Sequence, residues 1–481
     1  MKNITYVGGR PHFYGTRRPK KKRKVQENAS PSPWWNSQSA KISNLLPISR
    51  NAPLNQGHLN WITTSKSDTF RKPLQVEFHP PREKKIATHT TGLSEEVVMD
   101  DEVLRSLKVR ILPTMEQKEM FHHYFEITRF IYNKCIDWTM RGPHKPNFTS
   151  LKKKFLTKNL NPEANQYPWV FNNYVPRDCR DMAIQELCSA IATTKESLEA
   201  KGKDPNLFEM KYRSKKDKSQ RFMIPNNGGT PAVSWDKDGF QFWPRKKLGV
   251  IKPKRRKDFE YVKQLCANQE TKRGKKKGCM KTVILKYEYP GRWFMIFPHV
   301  RKKKEKTESK PIVVLDPGIR TFQVGYDSTG KITEYGDRNI NRIFLHGKKM
   351  DKLQSKIDRH VKRYYENKKE RIKYKNQRRR WRVQLAKMSR RNRSLINDAH
   401  WQITKDLVQN YDHIMASRFK ISDMVKKGTR RINSENVRKM LNWSHFSFRQ
   451  KLKHKAEEYN KDVYEVSEHY TVAYIISNIV E

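Results

Sequence analysis

The chain has 481 residues, with 102 Lys and Arg against 49 Asp and Glu, for a formal net charge of +53 and a sequence pI of about 10.1. So large a one-signed charge exceeds what solubility requires and calls for a polyanionic partner. Nucleic acid is favoured over a membrane surface, because no apolar run approaches the roughly 20 residues that span a bilayer and no signal-peptide pattern opens the chain. The hydrophobic fraction is only 35%, so solvated tail is expected beside two or three folded units. The five cysteines include no C-x-x-C pair, which fits a reducing compartment and offers no zinc knuckle.

From residue 1 to about 101 the sequence is polar and lacks sustained periodicity, and reads as a disordered basic tail. Within it Lys20, Lys21, Lys22, Arg23 and Lys24 follow Pro19, a compact cationic run of the kind nuclear import receptors read; a phosphate-binding tail is the alternative. Near Val103, VLRSLKVRIL predicts a strand, after which Thr114 and Gln117 form a capping box opening a helix. Met120, Tyr124, Ile127, Ile131 and Cys135 follow at helical spacing and read as ordinary core. A second helix follows Pro176, with Ala183, Leu187, Ala190 and Ile191 on one side.

Next comes FEMKYRSKKDKSQRFMIP, where Phe208, Tyr212 and Phe222 interleave with Lys211, Arg213, Lys215 and Lys216. Aromatic and cationic residues together can stack bases and hold phosphates, while an amphipathic strand with buried rings explains the pattern equally well. Short strands dominate from Gly228 to Val300, including Thr282 to Tyr287 and Arg292 to Phe297, and predict a small β-barrel with basic loops. Beyond a charged linker, Ile312 to Leu315 reads as a buried strand ending at Asp316-Pro317-Gly318, the first strand of a three-stranded antiparallel meander. A very basic helical region is expected from about Lys348 to Tyr411, dense in Arg and Lys as in KNQRRRWRVQLAKMSRRNR, which carries Arg378, Arg379, Arg380 and Arg382. So one-signed a face would repel itself unless an anion neutralised it, so a nucleic-acid-facing helix is preferred to a merely solvated one. A strand at His413 to Ser417, a helix around Val437 to Glu458 and a strand at Asp462 to Val466 complete the element order of an RNase H-like α/β fold.

Asp316 ends a buried apolar strand, where a carboxylate either meets a cation or caps its own turn; the residues alone leave these even. Five segments resemble landmarks of the TnpB family and its eukaryotic relatives, the Fanzors: KVRILPTMEQKEMFHHYFEITRFIYNKCI, VPRDCRDMAIQELCSAI with the FEMKY stretch, VVLDPGIRTFQVGY, INDAHWQITKDLVQNYDHI and VYEVSEHYT. Their order from about Val103 to Thr471 is the family's order.

The resemblance implies an α/β multidomain protein: a wedge-like β-barrel (102–115 and 226–310) with a helical recognition insert (116–225), then an RNase H-like RuvC nuclease domain (311–471) truncated at the C-terminus, and a divergent tail (472–481). It further implies a guide RNA and double-stranded DNA as partners, RNA-guided DNA cleavage with Mg2+, and, with the basic run, a nuclear address and an import receptor as partner; a monomer is expected. Asp316 matches the first RuvC acid. TnpB proteins place a Glu where this chain has Ser417, whereas Fanzors resemble it in moving that acid to just before the Tyr-Thr pair; the resemblance thus makes Glu468 the candidate second magnesium ligand, Glu465 the less favoured rival, and Fanzor the closer kin. The family's zinc ribbon and third carboxylate do not follow Thr471, so zinc ligands are absent and impaired cleavage is the expectation. A binding protein without cleavage is the alternative, and a basic RNA-binding protein of ribosomal kind a third that the motif series disfavours.

Overall fold

Continuous apolar runs make the central strands, and alternating ones make strands with one wet face. The computed structural model describes residues 62–66, 101–141, 147–157, 166–171, 175–226, 231–243, 248–266, 278–279, 281–305, 310–337, 339–366, 371–419, 421–426, 428 and 430–466. Strand β1 (Ile62–Lys66) precedes β2 (Glu102–Leu112), and helix α1 (Met115–Arg141) follows at once. The capping box forms as expected: Gln117 N donates to Thr114 Oγ1 at 3.2 Å and Thr114 N to Gln117 Oε1 at 3.0 Å. Helices α2 (Phe148–Leu156) and α3 (Arg177–Glu199) lead to β3 (Ser219–Ile224), β4 (Val233–Trp235), β5 (Phe240–Gln241) and β6 (Lys252–Pro253). Helix α4 (Arg256–Cys266), β7 (Gly278–Cys279), β8 (Val283–Glu288) and β9 (Arg292–Lys302) complete this half.

The order β3-β8-β9-β2-β6 forms one five-stranded sheet and β5-β4-β7 a three-stranded one. The expected β-barrel is therefore corrected to open sheets. A single Phe240–Ile251 bridge hooks one onto the edge of the other, but strands of two and three residues cannot carry the stagger that closure demands. The sheet also reclaims the chain at Ser219, inside the segment assigned to the helical insert, because β3 pairs with β8 along its whole length. One face of the large sheet is apolar and buried beneath α1. There Phe121 lies 5.5 Å from Trp293 and 5.9 Å from Phe242, and Phe125 stacks on Trp293 at 6.0 Å. Phe222 belongs to this core and Phe208 packs against it, so two of the three rings flagged for base stacking are structural.

The second half is built on β10 (Ile312–Pro317), β11 (Gln323–Asp327), β12 (Lys331–Tyr335), β13 (His413–Ser417) and β14 (Asp462–Val466). Its order is β1-β12-β11-β10-β13-β14; the first four strands are joined antiparallel, and β10, β13 and β14 run parallel. Strand β1 is an ordered piece within 1–101, which the sequence reads as mostly disordered tail: Ile62-Thr63-Thr64 is rich in β-branched residues and covers the open edge of β12, while 1–61 and 67–100 lie outside the described residues.

The basic helical region divides into α5 (Asn339–Glu366) and α6 (Arg371–Asn410), which pack on each other. After the short α7 (Ile421–Met424), the single helix expected near Val437 to Glu458 is two, α8 (Ser434–Trp443) and α9 (His445–Tyr459). They break at Ser444, whose φ of 52° is left-handed and ends an α-helix.

Trp443 is the keystone of this half. Its ring lies 4.7 Å from that of Phe322 and its Nε1 donates to Ile319 O at 3.1 Å, tying α8 to the loop that follows β10. Gly336, at φ 74°, passes under the indole, where an added Cβ would sit 3.2 Å from the ring. His400 and His445 flank Phe322 at 5.2 and 4.8 Å, and Trp443 O accepts from His400 Nε2 at 2.8 Å. Burial holds both imidazoles down at about 3, further lowered for His400 by Lys451 and for His445 by His400 and Arg449.

Both histidines are thus neutral when folded and titrate near 6.5 when unfolded, so below pH 6.5 the unfolded chain binds more protons. Stability is fully present above pH 6.5 and falls by about 1.4 kcal/mol per pH unit for each imidazole as pH drops towards 3. The denaturation midpoint should fall between pH 7 and pH 5, and less steeply in His445→Gln. Trp443→Ala, which empties the keystone site, should cost about 3–5 kcal/mol in chemical denaturation; a loss under 1 kcal/mol would contradict this packing.

Candidate active site and nucleic-acid interface

Val313, Val314 and Leu315 are buried to within 1% of full coverage, and Asp316 is the first exposed residue beyond them. The strand is central, with β11 on one side and β13 on the other, so its carboxyl end opens at an edge rather than into the core. Asp316 stands opposite Val324, and its charge, after burial, raises the Tyr326 phenol above its ordinary range. The turn behind it is fixed by Gly318 N donating to Phe322 O at 3.2 Å and by the Trp443–Ile319 bond. In an open α/β sheet the carboxyl ends of parallel strands are where ligands bind. Here β10, β13 and β14 present those ends together, because they run parallel in register.

Ser417, one register step beyond the Leu315–Ala416 pair, is 4% exposed, and its hydroxyl is buried with no hydrogen-bond partner among the described residues. Glu465 is engaged elsewhere: Lys453 Nζ at 3.4 Å, Arg449 Nε at 3.5 Å and Arg418 Nε at 3.9 Å surround it. Three cations thus share the one carboxylate of Glu465. Glu468 lies outside the described residues, as do Lys20, Lys21, Lys22, Arg23 and Lys24. Among the described residues there is no group of three or more His, Cys, Asp or Glu side chains able to hold a metal ion.

The cations singled out in sequence fall on two elements. In the loop before β3, Lys211 and Lys216 are exposed, and Lys215 reaches Glu126 at 2.5 Å, a bond that lowers the Glu126 carboxyl. Arg213 is held within the fold: its guanidinium stacks 3.6 Å from the Tyr132 ring and bonds Glu186 at 2.9 Å. Tyr212 is 49% exposed, its hydroxyl donating to Asp137 at 2.6 Å. A cavity of about 330 Å³ opens beside this loop and carries Arg129, Arg213, Arg221 and Lys286 among its walls. Arg379, Arg380 and Arg382 are exposed on α6, and Arg378 is half-buried.

The structure adds cations that no sequence run disclosed. The register places Lys108, Arg110, Lys286 and Arg292 on the face of the five-stranded sheet opposite the aromatic core. Lys108 lies 4.0 Å over the Phe294 ring. Burial and then the charges of Arg292 and Arg110 lower the Arg390 guanidinium of α6; Arg393 adds to this and Glu288 opposes it. The alternation of Lys108 and Arg110 in the strand was the one signal available; its partners sit 180 to 280 residues away in the chain.

Residues 99–138, which cover β2 and most of α1, match the family model HTH_OrfB_IS605, described as a helix-turn-helix domain. A transposase-like protein of Paramecium bursaria Chlorella virus 1 is 26% identical over 80% of this chain and 81% of its own length. A TnpB-like protein of Acanthamoeba polyphaga mimivirus is 23% identical over 76% of this chain, which spans 65% of that relative's length. Among solved structures, the cryo-EM structure of a Cas12f1-sgRNA-target DNA complex overlaps 77% of this chain and 90% of its own, at 11% identity and a TM-score of 0.40. The chain thus shares sequence over three quarters or more of its length with transposase-like and TnpB-like viral proteins, and it carries an OrfB-type helix-turn-helix segment at residues 99–138.

Proposed function

We propose that the chain is an RNA-guided DNA nuclease of transposon origin, with Asp316 and Glu468 as its magnesium-binding acids. The observation that carries the reading is the order β12-β11-β10-β13-β14, an antiparallel meander followed by two parallel strands, with Asp316 at the carboxyl end of the central one. That is the strand order and direction of RNase H-like nucleases, among them RuvC domains, and it supports reading 311–471 as such a domain. The five-stranded sheet with its helices then corresponds to a wedge and recognition lobe, open rather than closed.

The donor set fits magnesium in kind. A hard dication takes oxygen ligands, and an exposed carboxylate beside the buried hydroxyl of Ser417 is of that type. One carboxylate is not a site. Glu468, two residues beyond β14 in sequence, is the acid that would join Asp316, and placing it there sides with the Fanzor arrangement. When bound, magnesium would polarise the scissile phosphate and favour an attacking hydroxide. The chain's own part is to hold the Asp316 turn rigid through Trp443, and to carry guide RNA and DNA strands on its cationic faces while base pairing reads sequence.

The test is plasmid cleavage by the full chain purified with its co-expressed RNA and Mg2+. RNA-directed cutting reduced more than about 100-fold by Asp316→Ala and by Glu468→Ala supports the reading. RNA-directed DNA binding without cutting would favour the second reading, a binding protein. Absence of any RNA-directed DNA binding would sink both. Residues 20–24 are proposed as a nuclear address read by an import receptor. Deleting them from a fluorescent fusion should spread nuclear signal through the cell, and unchanged nuclear accumulation would refute the assignment.

A further inference from the structure

Glu186, Glu458 and Glu465 each hold two or three cations, and the outer face of the five-stranded sheet is where acids fall short. On that face Arg110 pairs across the ladder with Phe294, so Arg292, two positions along β9, is its diagonal neighbour on the same side. Lys286 stands beside Phe294 on the next strand, and Arg221 beside Lys286 on β3. Glu288, opposite Arg292, is the acid of this row, and it is already engaged by Lys108 at 2.6 Å and Lys286 at 3.3 Å. Arg390, from α6, joins this group, with Arg393 beyond it.

Two buried nitrogens on this group, Arg110 Nε and Arg390 Nη1, make no hydrogen bond among the described residues. Burial first and Arg292 second push the Arg110 guanidinium below its ordinary range, and Arg390 is lowered for the same reasons with Arg110 as a further contributor. Guanidinium groups brought together from β2, β9 and a helix some 280 residues away repel one another and leave donors unspent. Such an arrangement raises the energy of the free protein and is relieved by an anion at its centre.

We propose that Arg110, Arg292 and Arg390 form a phosphate clamp that grips a backbone phosphodiester of a bound nucleic-acid strand, joining the sheet to α6 across that strand. A phosphodiester fits because its oxygens accept from the paired donors of each guanidinium. The neighbouring cations on alternate strand positions, Lys108 and Arg110, are about 7 Å apart by strand rise, a step comparable with that between successive phosphates along one strand. Lys286 continues the row to the cavity walled by Arg129, Arg213 and Arg221, giving the strand a path rather than a point. The proposal rests on the nucleic-acid reading above but not on cleavage.

The test measures binding of a single-stranded RNA and of a DNA duplex by the full chain, by fluorescence anisotropy across a series of salt concentrations. Arg110→Gln and Arg390→Gln should each lower the slope of log affinity against log salt by about 1 and weaken binding in step. Arg256→Gln, an exposed cation already paired with Asp238 and Glu260, should leave the slope unchanged. The ligand whose slope changes identifies the strand as RNA or DNA. The ligand-free melting temperatures of the two clamp variants should equal or exceed that of the parent, because each removal relieves repulsion. Unchanged slopes for both ligands with strong binding by the parent would overturn the clamp and leave the nucleic-acid reading standing. A lowered melting temperature would mark these arginines as structural and overturn it as well. Failure of the parent to bind either ligand would defeat the underlying reading itself.

Discussion

Like-charge repulsion is the constraint under which the whole fold is built. With about two cations for each acid, repulsion is eased where one acid neutralises several cations at once. Glu458 is 5% exposed and meets Arg301 at 2.6 Å, Lys455 at 2.9 Å and Arg105 at 3.8 Å. Those arginines belong to β2 and β9, while Glu458 and Lys455 belong to α9, so one carboxylate stitches the two large sheets' surroundings together. Glu186 serves Arg213 and Arg221 in the same manner, Glu465 serves three cations beside β13 and β14, and Glu288 serves Lys108 and Lys286. Isolated surface pairs of this kind are worth little; shared and half-buried ones are costly to break, because removal leaves charges unpaired.

The same scarcity separates structural cations from those left for a ligand. Arg213, flagged in sequence for nucleic acid, is stacked on Tyr132 and bound by Glu186. Arg110, inconspicuous in sequence, and Arg390, inside the basic run of α6, carry buried nitrogens with no hydrogen-bond partner among the described residues. The opposite assignment follows at the acidic edge. Glu465 is consumed by its three cations, while Asp316 stands exposed at the end of a buried strand, backed by the Trp443–Phe322 cluster.

Much of the architecture was legible in the sequence because local rules decide it. The capping box at Thr114 and Gln117, the apolar stripe of α1, the run Ile312 to Leu315 and the meander after it each declare themselves within a few residues. Strand β1 was missed because five residues in a polar stretch form a strand only when an existing edge recruits them. The break at Ser444 was missed because no Gly or Pro marks it.

What the sequence determined by itself was therefore element identity, the excess of positive charge, the resemblance carried by its five segments and the place of Asp316 at a strand's end, since each depends on neighbours in the chain. Tertiary structure decided whether the sheet closes, which carboxylates are neutralised and which guanidiniums converge. Those outcomes depend on the register of strands and helices far apart in sequence, and Coulomb and packing forces act on distance in space rather than on separation along the chain.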